Sequence, residues 1–359
     1  MSISLLPPES PVQYLRPDGT LHDNMPNLGL SSDELVDMYR SMVRTRTLDT
    51  LAISLQRQGQ LGVWASVRGQ EGAQIGCAFA MADNDWAFAT YREHGISLRK
   101  GVPFASLLRQ YKGEWFGLFD PKEYGFAPHS IPIATHLLHA VGYAHAARLS
   151  GDDLVVFGFV GDGATSEGDF HEALNFASVL DAPVVFFVQN NGYAISTPAR
   201  IQTRAPSIAH KAIGYGMQGY QVDGNDVLAS YNITRIAAAE ARATGRPSLI
   251  EAHTYRMQPH TTADDDTRYR TAAEAETWVE KDPILRLERL LRSTGDLNDE
   301  LIEGINHAAN EESLSVRAEV TSARAPAVAE AFSHVYLDPP GHLIKQRDAV
   351  LAEIEEAGL

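Results

Sequence analysis

The most regular pattern of apolar residues in the chain lies between positions 154 and 192. Residues 154–160 are a run of β-branched and aromatic side chains, which is typical of a strand buried on both faces. Apolar residues then recur at helical spacing from Phe170 to Leu180, and residues 184–188 form a second apolar run. The pattern predicts a strand, a helix and a second strand, and such a unit places its two strands parallel to each other.

Similar patterns predict the other elements. Ser31 with Glu34, and Ser166 with Asp169, have the spacing of capping boxes that begin helices. Strands are predicted at residues 86–90, 220–224 and 247–255, and helices at residues 137–149, 226–244, 283–292 and 298–318. Alternating strands and helices predict an α/β fold with a doubly wound parallel sheet. We expect an N-terminal extended arm at residues 1–30, an α/β domain at residues 31–275 and a helical C-terminal extension at residues 276–359.

Polar residues follow both strands of the first unit. Gly161, Asp162 and Gly163 end the first strand, and Asn190 and Asn191 end the second. Parallel strands end at the same edge of a sheet, so we expect the Asp162 and Asn191 side chains to lie side by side where α/β proteins bind ligands. A carboxylate with an amide oxygen suits a hard cation such as Mg²⁺. The glycines allow a phosphate to approach the backbone, and the following helix N-terminus favours negative charge.

Two other readings of this turn are possible. Gly161 and Gly163, with Asp181 downstream, match half of the fingerprint of a dinucleotide site, although Ser166 replaces the last glycine. In that reading Asp162 would face a pyrophosphate with no metal between them. A tight turn without any ligand would explain the glycines, but it would not explain Asp162 together with the two asparagines.

Composition excludes several classes of partner. The formal net charge of −16 argues against nucleic acid and against an anionic membrane. The single cysteine, Cys77, rules out an intrachain disulfide and suits a reducing compartment. No stretch approaches the roughly 20 apolar residues of a membrane span, and the N-terminal residues match neither a signal peptide nor a transit peptide. We therefore expect a cytoplasmic protein.

Five motifs then suggest a family. The GDG turn is followed after 26 residues by NN. The chain contains, in this order, the motifs YREHG, GDGATSEGD, QNNGYAIST, GYGMQGYQVDGND and TYRMQPHTTADD. From about residue 31 onward the chain resembles the alpha subunits of thiamine-diphosphate-dependent 2-oxo acid dehydrogenases, and most closely the branched-chain members. The resemblance implies that residues 31–275 form the diphosphate-side domain of the thiamine diphosphate-binding fold.

The resemblance implies a role for each residue of the glycine and asparagine turns. Asp162, Asn191 and the main-chain carbonyl of Tyr193 would hold Mg²⁺ on the diphosphate. The backbone amides of Gly163 and Ala164 would contact the diphosphate directly.

Residues from three other segments would complete the site. Tyr91 and Arg92 would contact the diphosphate, and an arginine can bind a phosphate through two parallel hydrogen bonds. Ile131 would offer its backbone to the aminopyrimidine, and Ile133 would be the apolar wedge that bends the cofactor. His260 would lie over the thiazolium and the substrate as a catalytic residue.

The chain departs from the family pattern at two positions. Branched-chain relatives have an arginine on the diphosphate where this chain has Gln189, so one phosphate-binding cation is missing. Relatives also hold a monovalent cation with residues that correspond to Ser130, Pro132, Thr135 and a glutamine. His136 replaces that glutamine here, so a bound K⁺ is not expected.

The implied activity is oxidative decarboxylation of branched-chain 2-oxo acids, with acyl transfer to the lipoyl groups of an acyltransferase core. A pyruvate- or acetoin-specific alpha subunit is the alternative, and the irregular segment 113–129 is where such specificity would vary. A non-catalytic homologue is a further alternative, against which the intact motifs argue. The carboxylate that activates the cofactor comes from a separate beta subunit in this family, so we expect an α₂β₂ heterotetramer and an inactive isolated chain.

Overall fold

The computed structural model describes residues 5–114, 118–324 and 326–358, so residues 115–117 of the segment 113–129 lie outside it. Its strands are β1 (Trp86–Phe88), β2 (Val156–Gly161), β3 (Val184–Asn190), β4 (Tyr193–Ala194), β5 (Thr197–Pro198), β6 (Gln218–Asp223) and β7 (Ser248–His253). Five strands form one parallel sheet in the order β1-β2-β3-β7-β6, and β4 and β5 form a short antiparallel hairpin. The predicted parallel sheet is confirmed.

Helices surround the sheet. They are α1 (Ser32–Arg57), α2 (Glu71–Ala80), α3 (His94–Arg99), α4 (Phe104–Tyr111), α5 (Pro121–Tyr124), α6 (Thr135–Ser150), α7 (Gly168–Val179), α8 (Ala199–Gln202), α9 (Val227–Thr244), α10 (Ala272–Glu276), α11 (Pro283–Thr294), α12 (Asp299–Ser322) and α13 (Gly341–Ala357). Short 3₁₀ turns occupy Asp162–Ser166, Ile208–Tyr215, Asp266–Arg268, Val279–Lys281 and Val328–Phe332. Within the described ranges, no helix is long and apolar enough to cross a membrane.

The sheet is buried on both faces because successive side chains of a strand point to opposite sides. Phe157 and Phe159 of β2 belong to one apolar cluster, which also contains residues of α1, α2 and α9. Val156 and Val160 of the same strand belong to a second cluster, which contains residues of α6 and α7. Helices therefore cover both faces, as the run of apolar residues at 154–160 predicts.

The segments before and after the predicted α/β domain pack on this body. Val12 forms a bridge with Val222 of β6. The backbone amides of Tyr14 and Leu15 donate to the carboxylate of Asp226, with N···O distances of 2.6 and 2.7 Å. At the other end, α11 and α12 contribute Leu287 and other residues to the apolar cluster that contains α1. The division at residue 276 stays a prediction.

One predicted helix start is confirmed and another is wrong. Ser31 caps α1, and its backbone amide donates to the Glu34 carboxylate, as a capping box requires. Ser166 instead ends the 3₁₀ turn, and α7 begins at Gly168 without a side-chain cap. The Asp169 carboxylate instead accepts a hydrogen bond at 2.8 Å from Oγ1 of Thr135, which lies at the start of α6.

Candidate functional site

Asp162 and Asn191 lie at the same edge of the sheet. Strands β2 and β3 are parallel and in register, with Gly161 opposite Gln189, so the residues that follow them are adjacent. The backbone amide of Asn191 donates to the Asp162 carboxylate and favours its charged form. Asp162 and Asn191 therefore lie side by side and line the same cavity, as predicted, although the contact between them is made by the Asn191 backbone.

The Asp162 carboxylate is buried, and the charge of Arg256 favours its ionised form. Only 1% of the residue is exposed, and burial raises the pKa of its carboxyl, which hydrogen bonds from Gln202 and backbone amides partly offset. Among the described residues it forms no ion pair. A buried charge is costly unless it is paired or coordinates a metal, so the environment of Asp162 fits a bound cation.

The hairpin β4–β5 covers the glycine turn closely. A Cβ atom on Gly163 would lie 2.7 Å from the Cβ atom of Ala194, so only glycine permits this approach. The hairpin is fixed by Tyr193, whose hydroxyl donates to the Glu274 carboxylate with distances of 2.9 and 3.0 Å to its two oxygens. The Tyr193 amide donates to Asn191 Oδ1 at 3.3 Å. These contacts bring the Tyr193 backbone to the turn that carries Asp162.

A cavity of about 490 Å³ opens at this edge. It is lined by all ten residues that the sequence analysis names as candidates, which are Tyr91, Arg92, Ile131, Ile133, Asp162, Gly163, Ala164, Asn191, Tyr193 and His260. Five separate segments of the chain supply them. Their individual roles toward a cofactor stay predictions.

Two arginines carry positive charge in the wall of the cavity. Arg92 is 6% exposed and donates from Nη2 to the carbonyl oxygen of His260 at 2.8 Å. Arg256 is 1% exposed and donates from Nη2 to the carbonyl oxygen of Ile195 at 2.9 Å. Burial and the neighbouring Arg92 lower the pKa of Arg256. Neither arginine forms an ion pair with any residue that the structure describes, so both charges are available to an anion such as a diphosphate.

His260 lies between these two arginines and is neutral. Burial, and then the charges of Arg92 and Arg256, lower the pKa of its imidazole to about 4. Its Nδ1 atom is 3.3 Å from Arg92 Nη2 and 3.4 Å from Arg256 Nη1, and both guanidinium groups can only donate. We therefore assign the imidazole proton to Nε2, which can donate a hydrogen bond to a ligand.

Three residues at or beside this cavity are not among the ten predicted candidates. Gln70 lines the cavity, is fully buried and has no hydrogen-bond partner for Nε2 among the described residues. Arg256 follows β7, which ends at the same edge as β2 and β3, so the rule that located Asp162 could have found it. Gln202 donates to the Asp162 carboxylate from α8 and is signalled by no pattern in the sequence.

The structure accounts for both departures from the family pattern. Gln189 is buried in the cavity wall, donates from Nε2 to Glu93 at 2.7 Å and accepts from Gln74 at 2.9 Å. It therefore satisfies a buried carboxylate instead of adding a charge. The His136 Nε2 atom is 2.7 Å from the carbonyl oxygen of Phe159, and this contact directs the imidazole to the backbone of β2.

The dinucleotide reading is wrong. Helix α7 runs from the glycine turn back across the sheet, so Asp181 lies just before β3 and at the opposite edge from Asp162. There its carboxylate pairs with Arg148 at 3.4 Å. Asp181 is thus unable to contact a ribose whose pyrophosphate lies on Gly161 and Gly163.

Comparison with known proteins identifies the family. The family model described as the dehydrogenase E1 component matches residues 39–330. The chain belongs to the dehydrogenase E1 component family. It is 47% identical over 355 residues to the 3-methyl-2-oxobutanoate dehydrogenase subunit alpha of Mycobacterium tuberculosis (strain CDC 1551 / Oshkosh), and this match covers 99% of the chain and 96% of the relative.

Two further E1 relatives are more distant. The mitochondrial 2-oxoisovalerate dehydrogenase subunit alpha of Bos taurus is 36% identical over 339 residues, which cover 92% of this chain and 74% of the relative. The pyruvate dehydrogenase E1 component subunit alpha of Staphylococcus aureus (strain Mu50 / ATCC 700699) is 37% identical over 338 residues, which cover 93% of this chain and 91% of the relative.

The E1 family depends on thiamine diphosphate, and the cavity fits the diphosphate end of that cofactor. Among the described residues, Arg92 and Arg256 form no ion pair and Gln70 Nε2 has no hydrogen-bond partner, so all three side chains are suited to a phosphate group. No group of three or more His, Cys, Asp or Glu side chains that could hold a metal occurs in the described ranges. The predicted metal ligands Asp162, Asn191 and Tyr193 include only one carboxylate, so they do not form a group of that kind.

Proposed function

We propose that this chain is the alpha subunit of a branched-chain 2-oxo acid dehydrogenase, named 3-methyl-2-oxobutanoate dehydrogenase (2-methylpropanoyl-transferring). The observation that carries the proposal is that one cavity contains the buried Asp162 carboxylate together with Arg92 and Arg256, none of which forms an ion pair among the described residues. A diphosphate would offset the charges of the two arginines, and a metal ion would offset those of the carboxylate and the diphosphate. The 47% identity to a relative named for this activity supports the choice of substrate class.

In this proposal the Asp162 carboxylate, the Asn191 amide oxygen and the Tyr193 carbonyl would hold Mg²⁺, because oxygen atoms are the ligands that this cation prefers. Arg92 and Arg256 would contact the diphosphate, together with the backbone amides of Gly163 and Ala164.

Thiamine diphosphate, when bound, supplies the carbon nucleophile and electron sink that decarboxylation of a 2-oxo acid needs. The chain would position the cofactor and exclude water from the cavity. Ile131 and Ile133 present an apolar surface at the rim of the cavity. His260 donates a hydrogen bond from Nε2 to the substrate carboxylate or to a developing negative charge, and positioned proton donors of this kind contribute about 10²- to 10⁴-fold to a rate.

The site requires a second chain. Alpha subunits of this family work with a beta subunit and an acyltransferase core. Ile131 and Ile133 are 44% and 41% exposed beside the cavity, and exposed apolar residues next to a site favour a protein partner. We propose an α₂β₂ heterotetramer in which the beta subunit supplies the catalytic carboxylate and covers these residues. Cys77 is buried and unpaired, which is consistent with a cytoplasmic location.

Steady-state kinetics of the reconstituted alpha–beta complex tests the substrate class. We expect kcat/KM for 3-methyl-2-oxobutanoate to exceed that for pyruvate by at least tenfold, with no turnover unless thiamine diphosphate and Mg²⁺ are added. Pyruvate is the second candidate because a pyruvate dehydrogenase relative is 37% identical. A preference for pyruvate would replace our choice of substrate while leaving the cofactor site unchanged.

A further inference from the structure

Gln202 contacts both sides of the proposed metal site. Its side-chain amide nitrogen donates to Asp162 Oδ2 at 2.8 Å and to the carbonyl oxygen of Thr197 at 3.0 Å. Asp162 begins the turn after β2, and Thr197 lies in β5 of the hairpin that carries Tyr193. One amide group therefore uses both of its hydrogens to join the two segments from which the metal ligands come.

The β4–β5 hairpin needs hydrogen bonds from other parts of the chain to keep its conformation. Its two strands pair only at Tyr193 with Pro198 and at Ala194 with Thr197. Ile195 between them has a φ angle of 55°, a left-handed conformation that is unfavourable for a β-branched residue. A short ladder around a strained residue persists only when neighbouring groups fix it. Gln202 supplies one of these contacts through the Thr197 carbonyl, Arg256 supplies a second through the Ile195 carbonyl, and Glu274 supplies a third through the Tyr193 hydroxyl.

The chemistry of the glutamine also suits a metal ligand. The amide is neutral, so it orients the Asp162 carboxylate without offsetting its negative charge. A lysine or arginine in the same place would offset that charge. It contacts Oδ2 only, and a carboxylate has two oxygens. Groups that hydrogen-bond to a metal ligand orient it, and their removal typically costs about 10- to 100-fold in metal affinity.

We propose that Gln202 is a positioning residue that sets the affinity of the site for Mg²⁺, by holding the Asp162 carboxylate and the hairpin of Tyr193 in fixed relation. The inference rests on the function proposed above, since it takes Asp162 and Tyr193 to be the metal ligands. It adds a residue of α8 that does not line the cavity.

Substitution of Gln202 by methionine tests the proposal, because Q202M keeps the length of the side chain and removes both donors. The alpha–beta complex is saturated with thiamine diphosphate and titrated with Mg²⁺ in a calorimeter. We expect the Kd for Mg²⁺ to rise at least tenfold, while the thermal midpoint of the metal-free complex changes little. If Q202M fails to assemble, Q202N takes its place, since its amide is one methylene too short to reach both acceptors, and the same rise in Kd is expected.

Ile201→Ala is the matched control, because Ile201 lies on the same short helix, is 65% exposed and does not line the cavity. It should bind Mg²⁺ as the wild type does. An unchanged Kd in Q202M, or a lower thermal midpoint with an unchanged Kd, would overturn the proposal and leave the function of the chain intact. Failure of the wild-type complex to bind the cofactor with Mg²⁺ would instead overturn the proposed function, and this inference with it.

Discussion

At the scale of single residues, burial determines which groups carry charge. His260 is neutral because it is buried and lies between two guanidinium groups, whose donors face its Nδ1 atom. The Asp162 carboxylate is also buried, and it forms no ion pair among the described residues. Both observations fit the proposed binding of a diphosphate with a metal ion.

Replacement of His260 by alanine should separate binding from chemistry. Arg92, Arg256 and Asp162 remain in this variant, so the Kd of the alpha–beta complex for thiamine diphosphate should stay within about threefold of the wild type. The rate of 2-oxo acid decarboxylation should fall by about 10²- to 10⁴-fold, because a positioned donor is lost.

Calorimetry and steady-state kinetics measure the two effects. His307→Ala, an exposed histidine on α12, is the control and should change neither quantity. Loss of cofactor binding in the His260 variant would show that the imidazole binds the cofactor and would refute its assignment as a catalytic residue.

Burial also makes His129 sensitive to pH. Both of its ring nitrogens lack hydrogen-bond partners in the described part of the chain, and burial, with His136 nearby, lowers the pKa of its imidazole to about 4. The pKa of His129 in the folded state lies below the unfolded value of 6.5. Burial of this group therefore lowers the free energy of unfolding as the pH falls from about 6.5 toward 4. Each pKa unit corresponds to about 1.4 kcal/mol.

The variant His129→Leu should therefore gain stability relative to the wild type in acid. We expect the free energy of unfolding of the variant, minus that of the wild type, to increase by about 2 kcal/mol when the pH is lowered from 7.5 to 5. Urea unfolding of both proteins at the two pH values measures it, and other titrating groups cancel in the difference. The same difference at both pH values would show that His129 is hydrated in the folded state.

At the scale of elements, the β2–α7–β3 unit can be predicted from sequence because its apolar runs and its turns agree. Parallel strands end at one edge of a sheet, and this rule alone is enough to bring Asp162 and Asn191 together. The same rule does not locate Gln202 or Gln70, since both reach the site from elements whose packing is set by contacts distant in the chain. Local spacing misplaces the start of α7 because it does not reveal the tertiary partner of Asp169.

Gly163→Ala tests the fit between the glycine turn and the hairpin. The added methyl group would meet Ala194 Cβ at 2.7 Å, which real Cβ contacts do not reach, so the hairpin must move. We expect the Mg²⁺-dependent affinity for thiamine diphosphate to fall at least tenfold.

Gly168→Ala, at the start of α7, is the matched control, because a Cβ atom there meets nothing within 4 Å. It should bind the cofactor as the wild type does. Equal affinities for the two alanine variants would mean that the close approach of the hairpin does not shape the site.

At the scale of the whole molecule, the proposed function gives the chain half of a catalytic site. The cavity would supply the groups for a metal and a diphosphate, and the apolar residues at its rim are exposed. The isolated chain should therefore show no 2-oxo acid decarboxylation, and addition of the beta subunit should restore it. Turnover by the purified chain alone, at a rate comparable with that of the complex, would contradict this division of the site.

The most direct test of the proposed cofactor site is calorimetric binding of thiamine diphosphate to the alpha–beta complex, with and without Mg²⁺, for the wild type and for Asp162→Ala. We expect the wild type to bind the cofactor at least 100-fold more tightly when Mg²⁺ is present. The variant should bind it weakly and equally with or without the metal, because the only carboxylate in the proposed ligand set is gone. Metal-dependent binding of undiminished affinity in the Asp162 variant would contradict the proposed site.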